Sequence, residues 1–230
     1  MSPLIDIRKL AILLALFAVI GFGSSGVAKA DVVYVLNNAN FGGFSGPYGT
    51  VTVHLVDANT ATLTFTADQT HAGLTYLFGN GGIVAANFNG AVTLISSSVN
   101  LSEGGVSGLS AGGAGNEDGF GTFSFTMNNT DGFQDAVGGV TFTVDKTVGT
   151  WANELSVLTA NGNGNVVAAH IFICGADPCN TQTIRSNNPA LLTGFVTNGT
   201  NPPVPEPASM FLLGSGLVGL AAGLRRRFRK

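Results

Sequence analysis

Apolar residues alternate with threonine and serine at a strict period of two in stretch after stretch of this chain. In Thr50-Val51-Thr52-Val53-His54-Leu55 the two valines and the leucine take one face. Thr62-Leu63-Thr64-Phe65-Thr66, Thr122-Phe123-Ser124-Phe125-Thr126-Met127 and Val140-Thr141-Phe142-Thr143-Val144 repeat the pattern. Period two is the side-chain repeat of a strand, so each stretch can bury one face and solvate the other. Residues 32–36, 91–99, 166–173 and 191–196 are further strand candidates, and only 151–158 reads as a helix, a short one. Gly, Asn and Asp turns separate them. The expectation is an all-β fold: a single β-sandwich or jelly-roll-like domain over residues 31–197. The glycine-rich segment 101–119 is expected to be a mobile loop within it.

Charge is distributed unevenly. Of the ten Lys and Arg residues, three lie within the first 29 positions and five within the last six. Between Asp31 and Pro203 only Lys146 and Arg185 are basic, against eleven carboxylates, a net charge of −9. A surface this acidic repels phosphate backbones, so no nucleic-acid partner is expected.

The two ends read as targeting segments. Arg8 and Lys9 precede an uncharged apolar run over 10–22, the length of a signal-peptide core and short for a membrane span. Ala28-Lys29-Ala30 has the small-x-small form that signal peptidase accepts. Residues 1–30 are therefore expected to be a signal peptide, cut between Ala30 and Asp31. At the other end, 198–207 reads as a proline-rich stalk ending in Val204-Pro205-Glu206-Pro207. Residues 208–224 are uncharged, and a helix of that length spans about 25 Å, close to a minimal hydrocarbon core. Residues 225–230 follow as a basic tail, with Arg225, Arg226, Arg227, Arg229 and Lys230 expected on the cytoplasmic side. The fold is thus expected to be flanked by an N-terminal signal peptide and a C-terminal transmembrane helix.

The order of these three parts, Pro-Glu-Pro, glycine-bearing apolar helix and arginine cluster, resembles the PEP-CTERM sorting signal of Gram-negative bacteria. The resemblance covers residues 204–230. It implies recognition by an exosortase, cleavage near Pro205-Glu206-Pro207, and transfer from the inner membrane to the cell surface or extracellular matrix. The family is associated with exopolysaccharide and biofilm, so exopolysaccharide is an implied partner beside exosortase and signal peptidase. A looser likeness to other proteins with this signal lies in Val167-Ala168-Ala169-His170-Ile171 and Thr193-Gly194-Phe195.

The chemistry-bearing residues between the ends are few. Cys174 and Cys179, the only cysteines, are expected to form a disulfide after export. A zinc site from His170, Cys174 and Cys179 lacks a fourth ligand. His54 falls on a polar strand face, His71 in a turn, and His170 inside an apolar run. Glu103, Glu117 and Glu154 are the glutamates from which a hydrolase pair would have to come. Residues 112–118, Gly-Gly-Ala-Gly-Asn-Glu-Asp, partly resemble one calcium-binding nonapeptide, with Glu117 where aspartate is usual. No phosphate-cradling loop with its lysine occurs.

No catalytic residue, metal or cofactor is therefore expected. The chain reads as an exported, exosortase-sorted surface or matrix protein with a non-enzymatic adhesive, glycan-contacting or structural domain. The alternatives are a secreted polysaccharide hydrolase and a calcium-dependent lectin-like module.

Overall fold

The computed structural model describes residues 30–79, 82–100, 109–128, 136–175, 192–199 and 204–205. The expected signal peptide up to Lys29, the transmembrane helix over 208–224 and the basic tail lie outside the described residues, as does Cys179. Among the described residues no helix is long and apolar enough to cross a membrane.

The described chain is almost entirely strand. In chain order the strands are β1 (Val32–Leu36), β2 (Asn38–Ala39), β3 (Gly49–Leu55), β4 (Thr60–Ala67), β5 (Thr75–Phe78), β6 (Gly82–Ala86) and β7 (Val92–Asn100). They continue with β8 (Ser110–Glu117), β9 (Gly121–Asn128), β10 (Gly139–Lys146), β11 (Val167–Cys174), β12 (Leu192–Thr197) and β13 (Val204–Pro205). They form two antiparallel sheets. One has the order β13-β1-β3-β4-β10-β7; the other runs β2-β12-β11-β6-β9-β8, with β5 also paired to β11.

The alternating stretches behave as their period demands. In β3 and β4 every second side chain is buried, and the threonines between them face out. Facing threonines of neighbouring strands touch: Thr62 and Thr143 hydroxyls are 2.9 Å apart, and Thr141 Oγ1 donates to Thr64 Oγ1 at 3.3 Å. The buried faces of both sheets join one apolar cluster, which makes the arrangement sandwich-like. Aromatic rings cross between the sheets. Phe78 of β5 meets Phe65 of β4 edge-on at 6.4 Å; Phe65 stacks on Phe142 of β10 at 6.0 Å; Phe142 stacks on Phe125 of β9 at 5.4 Å. Phe88 and Trp151 extend the row at 5.6 and 6.3 Å.

Several sequence expectations need correction. The segment 101–119 is not a loop throughout: Ser110–Glu117 is β8, paired with β9. Its glycines admit β9 side chains, since a Cβ at Gly115 would stand 2.6 Å from Thr126 Cγ2, and one at Gly112 would collide with Asn128 and Thr126. Of the helix expected over 151–158, only a 3-10 turn forms, Glu154–Ser156. Asn153 caps it, its Oδ1 accepting from Ser156 N at 3.0 Å. The stalk expected from 198 does not begin there. Asn198 is buried, and its Oδ1 accepts the Val166 and Val167 amides at 3.0 and 3.2 Å.

Phe65 is fully buried between two ring neighbours. Phe65→Ala is therefore expected to destabilise the fold by about 3–5 kcal/mol, read as a lowered midpoint in chemical denaturation.

Candidate functional site

Three places carry functional side chains or motifs. The first is the edge of the β1 sheet. Val204 and Pro205, the first half of the Val204-Pro205-Glu206-Pro207 motif, pair antiparallel with Val33 and Val32. The stalk expected over 198–207 is at this point an edge strand. Pro202, Pro203 and Pro205 have no amide hydrogen, so among residues 202–205 only Val204 can donate to a ladder. Such a strand is thinly held and easily lifted away.

Ala30 and Asp31, the expected signal-peptidase junction, lie immediately before β1, and the Asp31 carboxylate meets His54 Nδ1 at 2.6 Å. Both expected processing sites thus adjoin one strand. Ala28, Glu206, Pro207 and the five basic residues of the tail lie outside the described residues.

The remaining candidates separate. His71 Nδ1 approaches Asp68 at 3.2 Å and its ring stacks on Tyr76. His170 is buried on β11, its ring stacked at 4.6 Å on Phe195, the residue opposite it on β12. The two stretches singled out in the sequence, around His170 and around Phe195, are therefore paired strands. Cys174 is buried at the end of β11. Glu154 is buried in the 3-10 turn with Oε1 lacking a hydrogen-bond partner. Glu103 lies outside the described residues. Among the described residues no three His, Cys, Asp or Glu side chains gather as a metal-binding group.

The second place was not expected from the sequence. A cleft of about 440 Å³ opens between Asn37, Asn38, Phe120, Asn163, Asn165 and two glycines. Asn161 Nδ2 and Asn165 Nδ2 both donate to the Phe120 carbonyl at 3.0 Å. These bonds hold the β8–β9 turn against the Asn161–Asn165 loop. Asn37, Asn38 and Asn163 are exposed at the cleft. The Asn-Gly-Asn-Gly-Asn run of 161–165 was the available signal, but such a run in sequence signifies only a turn.

The third place surrounds Glu117 on β8. Its side chain is buried, and burial pushes its carboxyl up to about 7 from the ordinary 4.5. It lines a smaller cavity with Gly82, Asn116, Thr126, Asn128 and Phe195.

Comparison with known proteins bears on the first place. The chain carries a PEP-CTERM protein-sorting motif. The matching family model covers residues 203–227. It marks an exported protein sorted through a membrane, with an exosortase as its processing partner. No curated protein and no solved structure matches the chain.

The Glu117 carboxyl gives a stability prediction. Its folded value is raised, so between about pH 4.5 and 7 the folded state holds a proton that the unfolded state has lost. Its contribution to stability is greatest at low pH and falls as pH rises through that window, by at most roughly 3 kcal/mol. Denaturation midpoints should fall from pH 5 to pH 8 in the native chain and fall distinctly less in Glu117→Gln.

Proposed function

We propose that this is a non-enzymatic surface or matrix protein whose β-domain holds neutral glycan in the asparagine cleft. The observation that carries the reading is the lining of that cleft: carboxamides, three of them exposed, with no charged side chain among the described residues. A carboxamide offers both donors and an acceptor, which is what a ring of hydroxyls requires. The acidity of the domain opposes anionic polysaccharide and leaves neutral glycan as the better fit.

The sorting motif supports the place of action. In this reading signal peptidase cuts between Ala30 and Asp31. The 208–224 segment then holds the protein in the inner membrane of a Gram-negative cell until exosortase cleaves near Pro205-Glu206-Pro207. Thin pairing of Val204-Pro205 with β1 lets the motif leave the sheet for the enzyme. A Cys174–Cys179 disulfide, formed after export, closes the end of β11.

Two measurements test this. Alanines at Pro205, Glu206 and Pro207 should leave the protein as unprocessed precursor in the membrane fraction; unchanged processing and surface display would sink the sorting claim. The full chain on a panel of neutral glycans should show binding that weakens about tenfold, or about 1.4 kcal/mol, in Asn38→Ala/Asn163→Ala. Absence of binding across the panel, or hydrolysis of a glycan, would overturn the proposed role of the domain.

A further inference from the structure

The Glu117 cavity has a volume of about 240 Å³ and a different chemistry from the asparagine cleft. Glu117 is only 3% exposed. Its Oε1 stands 3.2 Å from the position a Cβ on Gly82 would take, and Asn128 Oδ1 stands 3.7 Å from the same position. A carboxylate oxygen and a carboxamide oxygen therefore converge over a residue with no side chain. Thr126 Oγ1 and the Asn128 carboxamide come together again over Gly112, where a Cβ would collide with both. Gly82 thus keeps open a space that two oxygen-bearing side chains face, while over Gly112 the Asn128 atom beside Thr126 Oγ1 is Nδ2.

Among the described residues no lysine or arginine answers this carboxylate. Lys146 is engaged elsewhere, over the Trp151 ring at 5.3 Å. The other titratable groups around the cavity are Asp118, exposed in the next turn, and His170, whose ring stacks on Phe195 at the wall. A buried carboxylate is ordinarily paired with a cation or coordinated to a metal.

We propose that the Glu117 cavity is a binding site for a hard divalent cation, calcium, held by the Glu117 carboxylate and Asn128 Oδ1. The Asn116 carboxamide, which lines the same cavity, and water complete the shell. Oxygen donors of mixed kind, sparse in charge, suit the adaptable coordination of Ca²⁺ better than the strict octahedron of Mg²⁺. One carboxylate places the affinity at the weak end, about 10⁻⁴ to 10⁻³ M, where extracellular calcium modules work. The site is separate from the asparagine cleft and does not depend on glycan binding there.

The test is calorimetric titration of CaCl₂ into the full-length chain in non-ionic detergent. One site is expected at pH 8, weakening about tenfold by pH 6 as a proton competes for Glu117. Glu117→Gln should abolish binding with an unchanged circular dichroism spectrum. Asn128→Asp, which adds a second carboxylate, should tighten it severalfold. No heat at pH 8 up to about 10 mM Ca²⁺ would overturn the proposal. So would wild-type affinity in Glu117→Gln, an unchanged or weakened affinity in Asn128→Asp, or Mg²⁺ bound as tightly as Ca²⁺.

Discussion

The row of rings from Phe78 through Phe65, Phe142, Phe125 and Phe88 to Trp151 is the contact on which the rest of the fold depends. Each sheet has an apolar face, and neither is stable until these faces meet. The rings cross from one sheet to the other twice, Phe65 to Phe78 and Phe142 to Phe125, and Phe88 and Trp151 extend the row in the loops after β6 and β10. Trp151 is fastened in turn, its Nε1 donating to the Asn89 carbonyl at 3.1 Å. This row sets which strands face each other, and so determines which side chains are left on the outside.

The outside of the second sheet is where the unusual chemistry gathers. β11 is buried on both faces along its whole length. Its inner face joins the main cluster, while Ala168 and Phe172 join two smaller clusters on the other side. Phe120, carried back by the β8–β9 turn, covers part of that outer face. A side chain that folds back over a sheet creates walls, and both the asparagine cleft and the Glu117 cavity are spaces beside this turn. The glycines of β8 make the approach possible, because a Cβ there would strike Thr126 and Asn128. A glycine-rich stretch that reads as mobile in sequence is therefore a packing device in the fold.

The edge of the first sheet solves a different problem. The chain is exported, and its PEP-CTERM motif must reach an exosortase. β1 begins one residue after Asp31 and carries Val204-Pro205 on its outer side, so the domain's first strand and the start of its sorting motif share an edge. Prolines keep that pairing thin. An edge occupied by a short, proline-flanked strand is also a poor template for another chain, a common protection of exposed sheet edges.

The sequence by itself determined the all-β class, most of the one-face-buried strands, the acidity of the domain, and the sorting motif. These are local properties: a period of two, a charge count and a contiguous motif need no knowledge of what lies across the core. Strands buried on both faces were harder to read. Tyr76, Leu77 and Phe78 of β5, and Ile83 to Ala86 of β6, are apolar runs without alternation. Only the tertiary structure decided that β8 is a strand, that His170 stacks on Phe195, that Glu117 is buried, and that asparagines from residues 37 to 165 line one cleft. Each depends on residues brought together from distant parts of the chain, and neither spacing nor composition carries that pairing.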